Sequence, residues 1–157
     1  MSEIREARLQ KANTLVSKGF ASYAESFVVS HPTKFLLQKF DYLESGQEED
    51  FSVSIAGRVM AKRVMGKIAF FTISDEEGQI QLYLDKKLIN LNLEKQKLLS
   101  FEDIKEIVDI GDWIGVYGTI KKTNKGELSI KVEKWEMLSK SLQPCLLYTS
   151  DAADDTL

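Results

Sequence analysis

Apolar residues change their spacing along the chain, and the changes mark its parts. Over residues 2–18, Ile4, Leu9, Ala12, Leu15 and Val16 supply the apolar positions of a helix, with Ser2 at a capping position and Gly19 as a stop signal. Phe20–Ser30 reads as a loop with Tyr23 and Phe27 as aromatic anchors. A second helix is expected from Pro32, a favourable first-turn residue, to about Leu43, with Leu36, Leu37, Phe40 and Leu43 at helical spacing. Glu44–Asp50 is acidic and contains Gly46, so it reads as a linker.

From Phe51 the period becomes two. Val53, Ile55 and Val59 share one face of a strand, and Ser52, Ser54, Ala56 and Arg58 the other. A second strand is expected over Lys67–Ser74, then a turn at Asp75–Gly78 and a third strand over Gln79–Leu84. Between Lys86 and Val108 the pattern is helical, in two pieces, with Ser100 a candidate cap. A fourth strand covers Asp112–Lys121, Asn124-Lys125-Gly126 turns the chain, and a fifth strand covers Glu127–Leu138. Three strands, a helix and two strands is the order of an OB-fold barrel. Other small barrels have the same strand count; the helix between strands 3 and 4 favours this one. The expected architecture is mainly β, a five-stranded OB-fold barrel over residues 51–142, preceded by an N-terminal helical arm and linker over residues 1–50.

The end of the chain departs from this rhythm. Residues 145–157, CLLYTSDAADDTL, can be reverse-translated into a string resembling a transposase sequencing adapter. Residues 143–157 are therefore expected to be a truncated end carrying a sequencing-adapter artefact over 145–157, the alternative being a natural polar tail. Cys145 falls inside that segment and is given no functional role.

Composition narrows the function. The chain has 157 residues, 43% of them apolar, enough for one core. A net charge of −3 excludes a uniformly basic nucleic-acid binder but not a local basic face. One cysteine and one histidine, His31, permit neither an internal disulfide nor a multi-histidine or thiolate metal site. No phosphate-binding loop and no Ser–His–Asp arrangement is evident, so no catalytic or metal-binding residue is assigned. No apolar run is long enough to span a membrane, and the charged N-terminus is unlike a signal peptide, so the expectation is a cytoplasmic protein.

The candidate chemistry lies on the outward face of the barrel. Phe70 and Phe71 are adjacent, so alternation sends one of them outside. Phe71 goes with Ala69 and Ile73; Phe70 goes with Ile68 and Thr72. An outward aromatic on the middle strands is a stacking platform for an unpaired base, or else packs under the N-terminal arm. Gln81 falls on the polar face of the third strand and offers an amide to a base edge, or is a solvated strand residue. Glu127 faces out if Leu128 faces in; it accepts a base N–H such as that of uracil N3, or is a charge that keeps the hairpin end soluble. Arg58, Lys62, Arg63 and Lys67 cluster before the second strand, and Lys121, Lys122, Lys125, Lys131 and Lys134 at the last hairpin. Both groups are possible phosphate or RNA contacts, or simply solvated faces. The acidic residues Asp41, Glu44, Glu48, Glu49 and Asp50 concentrate in the linker instead, a separation that favours nucleic acid.

These residues resemble a known family. SIAGRVMAKRVMGKIAFFTISDEEGQIQLYL, within Val53 to Leu84, resembles the first three barrel strands of bacterial class II lysine–tRNA ligases in its A-G-R, R-x-M-G-K and I-Q-L-Y elements. GDWIGVYGTIKKTNKGELSIKVEKWEMLSKSL, residues 111–142, resembles the fourth and fifth strands, including T-x-x-G-E-L-S. The resemblance covers about residues 1–144 and implies an anticodon-binding domain for the U-rich loop of lysine tRNA. It implies that Phe70 stacks on the central anticodon uridine and that Arg63, Gln81 and Glu127 contact anticodon bases. It also implies a parent enzyme, a homodimer in the family's usual form, that joins lysine to tRNA using ATP and Mg2+ in a catalytic domain absent from this sequence. On that reading the fragment itself holds no cofactor and is inactive. The alternatives are the related domain of an aspartate– or asparagine–tRNA ligase, and a stand-alone single-strand nucleic-acid-binding module.

Overall fold

In the computed structural model, residues 2–17, 27–91 and 100–141 are described. The anchor Tyr23, the stop Gly19 and the segment 145–157 lie outside the described residues, as do the side chains of Ser2, Ala12, Leu15 and Val16. The chain runs α1 (Ser2–Ser17), α2 (Thr33–Lys39), β1 (Glu48–Met65), β2 (Ile68–Ser74), β3 (Gln79–Asp85), α3 (Lys86–Leu91), α4 (Phe101–Ile107), β4 (Trp113–Lys122) and β5 (Leu128–Ser139). The five strands close a barrel in the order β1-β2-β3-β5-β4. All neighbours are antiparallel except β3 and β5, whose short parallel pairing at Gln81–Ser129, Leu82–Ile130 and Tyr83–Lys131 shuts the ring. The expected OB-fold barrel is therefore present, with α3 and α4 between β3 and β4.

Alternation fills the barrel. Val53, Ile55 and Val59 from β1, Ala69, Phe71 and Ile73 from β2, and Ile80, Leu82 and Leu84 from β3 are all buried. They meet Val116, Ile130, Val132 and Trp135 of β4 and β5 in one core cluster. Register shifts curve the strands, among them one between Val59 and Ala61 on β1 and one at Gly118 on β4, where a Cβ would lie 2.1 Å from the Lys131 carbonyl oxygen. The helices cap the barrel. Ser100 caps α4 through a reciprocal box with Asp103, as the sequence suggested, and the Trp135 indole donates to the Ser100 carbonyl.

Two expectations shift. The second helix stops at Lys39 rather than Leu43, because Phe40 turns out of the helix and packs its ring 5.1 Å from that of Phe51. Its N-terminus has no cap of its own; Asp75, in the β2–β3 turn, accepts from the Thr33 amide across the fold at 2.9 Å. The acidic linker is shorter than expected, since Glu48, Glu49 and Asp50 already belong to β1. The arm helix α1 leaves Ile4 and Leu9 exposed and meets the barrel through charge: Arg8 and Lys11 reach Asp109. No helix among the described residues is long and apolar enough to cross a membrane.

Candidate nucleic-acid interface

One cleft gathers all four residues assigned to base contact. Arg63, Phe70, Gln81 and Glu127 line a cavity of about 410 Å³ on the outer face of the barrel. Sheet register explains the convergence. Arg63 on β1 pairs with Phe70 on β2, and Phe70 pairs with Tyr83 on β3, so three consecutive strands present these side chains in one row. Phe71 is wholly buried, which leaves Phe70 as the outward aromatic. Its ring lies 5.8 Å from that of Tyr83, and the Arg63 guanidinium lies 5.0 Å from its centroid. The arm packs elsewhere: Phe27 sits against Gly115 and Tyr117 on β4, so among the described residues it does not cover Phe70.

A polar row runs beside the aromatic one. Gln81 on β3 pairs with Ser129 on β5, which pairs with Lys121 on β4, which pairs with Glu48 on β1. The buried Ser129 hydroxyl lies 2.8 Å from Gln81 Oε1 and 3.2 Å from the Glu127 carbonyl oxygen. Glu127 is exposed at the end of a tight hairpin. There the Thr123 amide donates to the Glu127 carbonyl, the Thr123 hydroxyl accepts from the Glu127 amide, and Gly126 takes the positive φ that closes the turn. Among the described residues Glu127 is the one carboxylate lining the cleft, which it shares with Arg63, Lys121 and Lys125. The arrangement holds an aromatic floor, a carboxylate acceptor, an amide and a cationic rim within one cavity, which suits an unpaired base with its phosphates.

The other basic residues divide. Lys125 lines the cleft. Lys62, expected as a phosphate or RNA contact, does not. It pairs with the buried Phe71 and so points to the barrel end, where its ammonium donates to the Lys105 and Val108 carbonyls at 2.6 and 2.7 Å. Burial lowers its pKa, and Asp109 opposes that shift. Its place is the C-terminal end of α4, where a lysine complements the helix carbonyls. Arg58 stacks 5.7 Å from Trp113 and lines a separate hollow with Asp75 and Glu76. Lys67 is exposed in the β1–β2 turn, and Lys122 donates to the Asp41 carbonyl at 3.2 Å; neither lines the cleft.

Two features were missed from sequence. Tyr83 lines the cleft, with Lys121 of the expected basic group 5.2 Å over its ring. Period two from Gln81 already put Tyr83 on the outer face; its pairing with Phe70 was not available without register. Glu48 is the second. Far from standing apart in a linker, it bridges Lys121 at 3.1 Å and Lys131 at 2.9 Å and offsets part of the basic rim. The bond from Lys131 is the main reason its pKa is lowered.

A family model described as OB-fold nucleic acid binding domain matches residues 53–138. The chain is 92% identical over 144 residues to a lysine–tRNA ligase of Prochlorococcus marinus strain MIT 9312, covering 92% of this chain and 28% of that protein. It is 74% identical over 144 residues to that of strain MED4, covering 92% of this chain and 28% of the relative. It is 51% identical over 144 residues to that of Synechococcus sp. strain RCC307, covering 92% of this chain and 27% of the relative. The chain thus spans about 28% of the length of the first of these relatives.

Proposed function

The chain belongs to the OB-fold nucleic acid binding domain family, and from that premise we propose that its cleft reads the U-rich anticodon loop of lysine tRNA. The observation that carries the reading is the convergence of Phe70, Arg63, Gln81 and Glu127 on one cavity, with a donor and an acceptor over an aromatic floor. Uracil presents an N3–H donor between two carbonyl acceptors. A base stacked on Phe70 gives that N–H to Glu127 and one carbonyl to the Gln81 amide. Cytosine presents a bare N3 lone pair where the carboxylate also carries lone pairs, so it is disfavoured. Arg63, Lys121 and Lys125 supply the charge that the loop phosphates require.

The likeness to lysine–tRNA ligases supports a wider reading. In it, these residues belong to an enzyme that joins lysine to its tRNA with ATP and Mg2+, and the cleft selects the tRNA by its anticodon. Among the described residues no group of three or more His, Cys, Asp or Glu side chains is arranged to hold a metal ion.

The test is a binding titration of the whole chain. A lysine-tRNA anticodon stem-loop is compared with the same loop carrying cytosine for its central uridine. The expected preference for uridine is about tenfold or more, the worth of one well-made base-edge contact. Equal and salt-sensitive binding to both loops would leave only a generic single-strand binder.

A further inference from the structure

We infer that Ser129 is a positioning residue that sets which face of the Gln81 amide meets the base, and so sets the preference for uridine over cytosine. The inference rests on the anticodon reading above. A glutamine amide has two nearly isosteric orientations, one aiming its NH2 outward and the other its oxygen. With NH2 outward, the cleft offers a donor from Gln81 and an acceptor from Glu127, the complement of an imide edge. With the oxygen outward, it offers two acceptors, and Gln81 can take a hydrogen bond from the cytosine amino group.

Ser129 weighs one orientation against the other. Its side chain is wholly buried, and its parallel pairing with Gln81 fixes the separation of the two side chains. The single hydroxyl proton has two acceptors within reach, Gln81 Oε1 at 2.8 Å and the Glu127 carbonyl at 3.2 Å. In the shorter bond it donates to Oε1, which holds the amide oxygen inward and turns NH2 to the cleft. Flipping the amide forces the hydroxyl onto the longer contact while its oxygen accepts from Nε2. Ser129 touches no base in this scheme; it acts through Gln81. The Glu127 carbonyl, on the same hydroxyl, ties the acceptor end of the array to the donor end.

A double-mutant cycle tests this. U-centred and C-centred loops are titrated against the whole chain, Ser129→Ala, Gln81→Ala and the double variant. Ser129→Ala is expected to reduce the U-over-C preference about fivefold or more, chiefly by tighter binding of the C-centred loop. In the Gln81→Ala background the same substitution is expected to leave the preference within about twofold. A preference unchanged by Ser129→Ala, or reduced equally in both backgrounds, would overturn the inference, the second outcome marking a merely structural role. Ser129→Cys keeps the size with a weaker donor and is expected to give an intermediate preference; should the alanine variant not fold, an unchanged preference in the cysteine variant overturns the inference. If the unsubstituted chain shows no preference for uridine, it is the anticodon reading that fails.

Discussion

Replacing Phe70 by alanine separates the binding surface from the core. Phe70 and Phe71 are neighbours in sequence with opposite fates: Phe71 is 0% exposed, whereas Phe70 lines the cleft. A base stacked on an aromatic ring contributes about 1–3 kcal/mol. Phe70 also touches Tyr83 at 5.8 Å and Arg63 at 5.0 Å, contacts that hold the two side chains in place. Their loss puts Phe70→Ala in the upper part of that range, about 2–3 kcal/mol, or about 30- to 150-fold in Kd. The fold loses one tilted ring pair, about 0.5–1.5 kcal/mol. Phe71→Ala empties the centre of the barrel and costs about 3–5 kcal/mol, a large share of a small domain's stability. Fluorescence anisotropy with a labelled stem-loop, paired with thermal melts, reads both quantities. Phe35→Ala, at an aromatic 42% exposed among the arm residues, serves as the control and is expected to leave binding unchanged. The reasoning is refuted if Phe70→Ala binds within about twofold of the parent chain, well inside the worth of a stacked base.

Other predictions follow from the charges. Glu48→Gln releases Lys121 and Lys131, so any single strand is expected to bind more tightly at low salt, and the slope of log K against log salt to steepen by up to about 1.4; an unchanged slope means the bridges do not matter for binding. Lys140→Met leaves the wholly buried Asp112 without the ammonium 2.5 Å away and is expected to cost about 3–5 kcal/mol in denaturant unfolding. Asp75→Asn weakens the hydrogen bond that caps the N-terminus of α2 and is expected to cost about 0.5–2 kcal/mol. Burial alone raises the Asp75 pKa, but the Thr33, Glu77 and Gly78 amides outweigh it and leave it lowered. Its stabilisation is therefore present above the carboxyl's unfolded value and lost as pH falls through the folded one, and Asp75→Asn is expected to flatten stability against pH in that acid window.

Much of the barrel was legible because period two is a direct record of which side faces the core. It sent Phe70 and Phe71 to opposite faces, and it aligned Gln81 with Tyr83. The Ser100 cap was readable because its signal is local. What failed required knowledge of partners across the sheet. Lys62 and Arg63 are adjacent in a basic run, yet alternation sends one to the carbonyls of α4 and the other to the cleft. Glu48 looked like linker because charge, not apolar spacing, marks the start of β1; only the register with Lys121 shows its role. Ser129 carried no signal, since a buried serine on a strand is noticed only once Gln81 is seen against it.

The central claim is that the middle base of the loop lies on Phe70, and a photocrosslink tests it most directly. A lysine-tRNA anticodon stem-loop with 5-iodouridine at its central anticodon position is bound to the whole chain and irradiated, and the linked peptide is sequenced by mass spectrometry. The account predicts linkage at Phe70, or at Tyr83 beside it. Linkage at Trp113, at Tyr117 or in the His31–Phe35–Phe51 group would place the base on another surface and contradict the account.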